Sequence, residues 1–452
     1  MSAGVLQFFG RMAASASSRT PPVPHLGSQS EHKHGQASGI GRAIGLGLIT
    51  GAADDDPSAI GTYATAGARI GPSFLWTAPI TFPMMVAVVY LSSKLGQVTG
   101  KGLFDVIRDH YPRWVLRSAL IGVIIGNTIE AGADIGGMAA AVGVLAPGMS
   151  LPMIVVPTTA AILILQVWGS YVLIRKIFRW LALVLLAYVG AAFLSDPDWS
   201  AVLRGTVIPT IQFNQEFLSL LVAVIGTTLS AYLYTWQSNE EVEEEIAMGR
   251  QHLHQRRGAT AEELRQSRWD IAMGMLFSNI IMYFIILSTA STLHVAGRTE
   301  IASAAEAAEA LKPVAGEAAG VLFAVGVIAV GFLAVPIMTT GAAYDVCQAF
   351  GWKHGLHARP SEAKGFYLLI AGFTVIAMCM NFFGFNPMRA LVFAGIVQGF
   401  STPPLMFLIM RMTGNRAIMG EAVNGRGITI LGWATTAAIF AATMGLVCTW
   451  FL

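Results

Sequence analysis

The chain has 452 residues, of which 54% are hydrophobic and only 12% charged, with a formal net charge of +2. About a quarter of an ordinary soluble protein is charged, so the polar coat of a water-soluble globule of this length is missing, and a mean hydropathy of +0.61 makes lipid the expected surrounding. No basic domain is present to engage nucleic acid. The three cysteines, Cys347, Cys379 and Cys448, are too far apart for a disulfide framework or a zinc site and read as small core residues.

Residues 1–38 are rich in Ser, Pro, His and Gly and open with MSAGVLQFFGRM, whose apolar run is too short for a cleaved signal peptide; a disordered cytoplasmic tail is expected. A spanning helix needs about 20 mostly apolar residues. Eleven stretches qualify: 40–70, 73–97, 114–143, 150–169, 172–194, 216–238, 269–295, 315–342, 365–383, 387–411 and 427–451. With the N-terminus on the cytoplasmic side, Lys94, Lys101, Arg108, Arg113, a run from Arg250 to Arg268, and Arg411, Arg416 and Arg426 all fall in inner loops. The outer connections keep only Arg69, Arg204, Arg298, Lys312 and Arg389, and an odd span count puts the C-terminus outside. Lys176 and Arg179 read as interface anchors. The stretch 299–312 reads as a short amphipathic helix before span 8, and NEEVEEE at 239–245 as a solvated continuation of span 6. His252, His254, His354 and His357 are expected in solvated loops and not as ligands.

Acidic side chains at membrane depth are costly and mark function by default. Span 1 reads GAADDDPSAIGTYATAGARIG (51–71), with Asp54, Asp55 and Asp56 inside an apolar stretch. Pro57 lacks an N–H and disfavours helix at the residue before it. The helix is therefore expected to stop near Asp54 and restart near Ala59. Carbonyls freed there, beside a carboxylate, make an oxygen-rich cation site. In span 3, Glu130 and Asp134 lie four apart, on one helical face, and read equally as a cation or proton path and as groups satisfied within the bundle. Span 6 places Gly226, Thr227, Thr228 and Ser230 at its middle. Small hydroxyl residues often serve close packing. Spans 1 and 6, however, open two consecutive five-span halves, and interrupted helices in corresponding positions of inverted halves point to a transporter site at the midplane.

These residues resemble the NRAMP divalent-metal transporters over nearly the whole chain after residue 38. DPSAIGTYATAGARIG (56–71) is similar to the family's DPGN-type motif with its A-G-A segment, and LSSKLGQVTGKGL (91–103) to its end of span 2, the most specific match. ADIGGMAAAVGVL (133–145) resembles its acidic span 3 motif, and GTTLSAYLYTW (226–236) sits at its metal-binding M-P-H-N motif. The resemblance implies an all-α membrane fold of about eleven helices, a LeuT-like inverted five-helix repeat with helices 1 and 6 broken. It implies a first repeat at about 39–196, a second at about 214–412 and an extra helix at about 427–451. A divalent metal ion is then the transported substrate, moved by alternating access, with no resident cofactor, no enzymatic activity and a multi-pass place in a bacterial inner or plasma membrane.

The implied metal residues are Asp56, Asp55, Ala53, Ala59, Thr227 and Ser230, and Asp134 and Glu130 are the implied proton or coupling path. The pattern departs from the family's at the site. Ala59 stands for its asparagine, Ser230 for its methionine, Ala231 for its proline, Tyr232 for its first histidine, and Thr227 where it offers an alanine carbonyl. Oxygen ligands without a thioether suit Mg²⁺ and Mn²⁺, so a hard-ion branch is expected. Fe²⁺ is a further candidate and H⁺ the candidate coupling ion. Two rivals keep the chain in the membrane: a cation-coupled carrier of a small organic solute on the same fold, and a channel or sensor.

Overall fold

The structure is a computed structural model that describes residues 46–168 and 185–451; the expected tail at 1–38 lies outside the described residues. All regular elements among the described residues are helical. Seven helical runs are long and apolar enough to cross a membrane, and two shorter apolar helices join them. Span 1 is split into α1 (Leu46–Asp54) and α2 (Pro57–Ile70). Span 2 is α3 (Thr77–Thr99), followed by the short α4 (Leu103–His110). Spans 3 and 4 are α5 (Arg113–Leu145) and α6 (Leu151–Trp168). Of span 5 only the end is described, α7 (Ala187–Leu194); its start, with Lys176 and Arg179, lies outside the described residues. After α8 (Trp199–Val207), span 6 is split into α9 (Gln215–Thr228) and α10 (Ala231–Ala247). Spans 7 to 11 are α11 (Ala261–Thr289), α12 (Ala319–Phe350), α13 (Lys364–Met380), α14 (Pro387–Thr413) and α15 (Arg426–Thr449).

Both expected breaks are present. Asp56 is extended (φ −65°, ψ 172°) and caps α2 by accepting from the Ala59 N–H, while Pro57 occupies the first helical position, where a missing donor costs nothing. The restart thus falls at Pro57, two residues ahead of the expected Ala59. At the second break Leu229 and Ser230 leave helical geometry. The freed Leu229 carbonyl is satisfied from elsewhere in the bundle, by the Thr402 hydroxyl at 2.9 Å and by the Tyr234 hydroxyl.

The helices sort into two packing groups that repeat at an interval of five spans. Spans 1, 2, 6 and 7 pack on one another through α1 on α11, α2 on α11, α3 on α11 and α3 on α10. Spans 3, 4, 8 and 9 do the same through α5 on α12, α5 on α13, α12 on α13 and α6 on α13. Span 10 (α14) lies against both groups, on α9 and on α5. The α9–α14 contact is backbone on backbone. A Cβ on Gly226 would lie 2.0 Å from the Gly395 oxygen and 2.4 Å from the Gly399 nitrogen, so only glycine fits there.

One end of the bundle is tied by polar side chains. Gly102 has no side chain to cap α4, and the first N–H groups of that helix are satisfied from other helices: Leu103 donates to Ser238 Oγ (3.1 Å) and Phe104 to Gln348 Oε1 (3.1 Å). Ser93 donates to Glu241 (2.6 Å), and Gly96 packs against the Ser238 backbone. The 91–103 segment is therefore shaped to the second half of span 6. This corrects one expectation. Glu240, Glu241, Glu243 and Glu245 are buried, not a solvated helix end, because α10 stays between α3 and α12. His357 is exposed in its loop, as expected, and its Nδ1 also pairs with Glu243, which accepts from the Tyr344 hydroxyl (2.5 Å) and the Leu356 N–H (3.1 Å). The cysteines are not all core residues. Cys347 is buried, but Cys379 and Cys448 are exposed on α13 and α15. The 299–312 stretch is helical only in part, from Ala304 to Lys312, with Ala307, Ala308, Ala310 and Leu311 buried.

Two measurements check this packing. Gly226→Ala must push α9 from α14 and is expected to cost about 2 kcal/mol or more, in the range of overpacked cores, read as a lower melting temperature of the purified protein. The hydrogen bond to Glu243 raises the His357 pKa above 6.5, with burial opposing and the Glu243 and Glu244 charges adding to the rise. A raised folded-state pKa stabilises below the unfolded value and ceases to as pH climbs through the folded one. The wild type should therefore lose melting temperature above about pH 6.5, and His357→Gln should abolish that component of the slope.

Candidate functional site

The two breaks meet at a set of carboxylates with unusual surroundings. Asp54, Asp55, Asp56, Glu130 and Asp134 are each 0% exposed. Among the described residues no lysine, arginine or histidine forms an ion pair with any of them. A buried carboxylate without a counter-charge persists only when neutralised by a proton or a cation.

Asp56 lies at the centre. Its Oδ1 accepts from Ser58 Oγ at 2.6 Å and from the Ala59 N–H at 2.7 Å, both at the N-terminus of α2, where the helix dipole also favours negative charge. Its Oδ2 accepts from the Tyr232 hydroxyl at 3.0 Å, and the same hydroxyl lies 2.8 Å from the Ala53 carbonyl oxygen at the end of α1. One phenol from the first turn of α10 thus closes the gap in span 1.

Span 3 supplies the other wall. Asp134 Oδ1 accepts the Ser58 N–H (2.8 Å), and Glu130 Oε1 lies 3.3 Å from Ser58 Oγ and 3.0 Å from Ser230 Oγ. Glu130 Oε2 accepts from Gln398 Nε2 at 2.6 Å. Gln398, on α14, in turn accepts from Ser401 (2.8 Å) and lies 3.4 Å from the Ala231 N–H at the start of α10. Ser230 Oγ also lies 3.0 Å from both the Gly226 and the Thr227 carbonyl oxygens. Each hydroxyl has one proton. When Ser58 gives its proton to Asp56, its contact with Glu130 needs a proton on Glu130, so Asp56, Ser58, Glu130 and Ser230 form a chain of proton-sharing neighbours.

The candidate residues are therefore not all in one place. The structure brings together Asp56, the Ala53 carbonyl, Thr227, Ser230, Glu130 and Asp134. Ala59 joins through its N–H, which can hold a carboxylate but cannot ligate a cation. Asp55 turns the other way, towards α11, where Ser278 Oγ lies 3.2 Å from Asp55 and 2.6 Å from Asp54. Asp54 Oδ1, Asp55 Oδ2 and Asp134 Oδ2 have no hydrogen-bond partner among the described residues. Gln398 and Ser278 are additions that sequence reasoning had not placed at the site, and Tyr232, named only as standing for a histidine, and Ser58 become hydrogen-bond donors to Asp56. A glutamine alone in an apolar span was the available signal for Gln398, and the histidine position for Tyr232. Among the described residues no three His, Cys, Asp or Glu side chains converge as a ready-made metal cage. The oxygens present are a mixture of carboxylate, carbonyl and hydroxyl.

Known proteins resemble the chain along most of its length. The family model described as natural resistance-associated macrophage protein-like (Nramp) matches residues 47–449. A Klebsiella pneumoniae (strain 342) protein named divalent metal cation transporter MntH is 30% identical over 389 residues, covering 85% of this chain and 88% of its own. A second Klebsiella pneumoniae protein of the same name, from subspecies pneumoniae, is 31% identical over the same length. In three dimensions the manganese transporter of Eremococcus coleocola, solved with an aromatic bis-isothiourea compound, superposes with a TM-score of 0.67 at 18% identity, over 90% of this chain and 85% of that one. Mhp1, a nucleobase-cation-symport-1 family transporter in a closed conformation, superposes with a TM-score of 0.53 at 14% identity, over 90% of this chain and 93% of that one.

Proposed function

This chain belongs to the Nramp family, and from that premise we propose that it carries a divalent metal ion across a membrane, bound between the breaks of spans 1 and 6. The observation that carries the reading is the cluster itself: buried carboxylates without basic partners, at the one level where both broken helices free their backbone carbonyls. The relatives named as divalent metal cation transporters agree with it.

In this reading Asp56 is the charged ligand. The Ala53 and Thr227 carbonyls and the Ser230 hydroxyl complete an all-oxygen shell, with water filling the remainder. Such a shell suits Mg²⁺ and Mn²⁺; without a thioether it gives up the extra affinity that sulfur has for Cd²⁺. Asp55, facing Ser278 with Asp54, adds negative potential close by and does not join the first ring of ligands. Glu130 exchanges a proton with Asp56 through the Ser58 hydroxyl, and Asp134, held by the Ser58 N–H, adds negative charge beside them, so that loss of a proton offsets part of the charge of an arriving ion. Spans 1, 2, 6 and 7 then rock against spans 3, 4, 8 and 9, opening the site to either side in turn. The repeats run from about 39 to 196 and from about 214 to 412, with an extra helix at about 427–451. The N-terminus faces the cytoplasm, the side on which Lys and Arg accumulate.

Uptake of Mg²⁺, Mn²⁺ and Cd²⁺ into proteoliposomes, with internal pH followed, tests the assignment. The wild type should move Mg²⁺ and Mn²⁺, and Asp56→Asn should bring both to the level of empty vesicles while the purified protein stays monodisperse; uptake unchanged by that substitution would refute Asp56 as ligand. Ser230→Met should raise the Cd²⁺ to Mg²⁺ uptake ratio by about tenfold, the weight of one altered ligand. An unmoved ratio would remove Ser230 from the shell.

A further inference from the structure

Tyr232 occupies an unexpected place. Its hydroxyl lies within hydrogen-bond distance of Asp56 Oδ2 (3.0 Å) and the Ala53 carbonyl (2.8 Å), two oxygens assigned above to the ion. Its ring is 0% exposed, and so are Asp56, Ala53, Thr227 and Ser230, which leaves this site closed to solvent in the conformation described. The other two donors to Asp56, Ser58 Oγ and the Ala59 N–H, belong to the first turn of α2 and travel with the carboxylate. Tyr232 is the donor that comes from the other broken helix. A cation bound by Asp56 Oδ2 and the Ala53 oxygen competes with that O–H, because the hydroxyl hydrogen, aimed at the same two oxygens, would point its partial positive charge at the ion.

Resting on the transport reading above, we propose that the Tyr232 hydroxyl is the internal stand-in for the ion in the unloaded carrier, and that it sets the rate at which the empty site closes and returns. A carrier that releases its ion must reorient with Asp56 in a low-dielectric interior. An acceptor left bare there opposes closure. With the ion gone, the Tyr232 hydroxyl shares its one proton between Asp56 Oδ2 and the Ala53 carbonyl, so the two halves of span 1 and the start of α10 come together around a carboxylate that has a donor near each oxygen. When the ion arrives the O–H turns aside, and the ion holds the same oxygens. The hydroxyl therefore competes with the ion. It is a positioning residue of the empty state, not a ligand that the loaded state requires. The substituent at this point, where the family places a histidine, thereby governs whether the carrier returns empty at a useful rate.

The experiment separates two modes of transport by the same purified protein in vesicles. Net uptake of labelled Mn²⁺ into metal-free vesicles requires the empty carrier to return. Exchange of labelled for unlabelled Mn²⁺ across metal-loaded vesicles does not. For Tyr232→Phe, net uptake should fall by about tenfold, as loss of one charge-assisted hydrogen bond implies. Exchange should stay within about threefold of wild type, and the Mn²⁺ Kd from calorimetry should be unchanged or tighter. Exchange falling with net uptake, a weaker Kd, or undiminished net uptake would each overturn the proposal. The wild type alone gives a second check that needs no folded variant: its net uptake should lie within about tenfold of its exchange, and exchange outrunning net uptake by far more means that empty return is not assisted. Failure of the transport reading looks different, since the wild type would then move no divalent ion in either mode.

Discussion

The architecture depends on keeping carboxylates at membrane depth with no cationic side chain among the described residues paired to them. Asp56 is held by a helix N-terminus, two hydroxyls and one backbone amide; Glu130 shares the Ser58 hydroxyl, and Asp134 takes the Ser58 N–H. An unbroken helix could offer none of this, because its amides and carbonyls are consumed within its own ladder. The interruption at Asp55–Asp56 liberates N–H groups to face the carboxylate, and that at Leu229–Ser230 liberates carbonyls. The breaks are thus what makes the acidic residues tolerable, and the acidic residues explain why the breaks are kept.

The same region is short of protons. Ser58, Ser230 and Ser278 each have one hydrogen to divide among two or more acceptors, and three carboxylate oxygens find no donor among the described residues. A core that maximised stability would match donors to acceptors. An excess of acceptors is the condition in which a passing cation is welcome and a permanent one unnecessary. Mixed, individually weak oxygen donors complete the arrangement, since a carrier that bound its cargo as firmly as a structural zinc site would not release it.

Most of the fold was legible because hydrophobic length is a strong signal. The spans, both breaks and the pairing of Glu130 with Asp134 on one face followed from apolar run length, from Pro57 and the glycines, and from helical period. What escaped was whatever depends on another helix. Glu241 and Glu243 looked solvated because their own segment is acidic, yet Ser93, Tyr344 and the 352–357 loop enclose them. Asp55 looked like a ligand because it adjoins Asp56, but successive residues around an interrupted helix point apart, and it faces Ser278. The signals at Tyr232 and Gln398, a motif position and a lone polar residue in an apolar span, do not say what either side chain meets. Their significance lies in the partner across the break, 176 residues away for Tyr232 and 268 for Gln398.

The glycine seam between α9 and α14 has a mechanical consequence. With backbones in contact at Gly226, Gly395 and Gly399, the first half of span 6 has no intervening side chains whose rotation could absorb displacement, so it is joined to span 10 as a single beam. The second half, beyond Leu229, has one such close approach, Gly96 on the Ser238 backbone, and is otherwise tied by polar pairs such as Ser93–Glu241 and Gln348–Asn239, which can exchange partners as they move. The polypeptide thereby has a stiffer arm and a more compliant arm on either side of the proposed site, with the two-residue gap between them placed as a fulcrum. Motion that begins in the compliant arm is converted at that point into a change in the shape of the site, while the stiff arm provides the reaction against which it works.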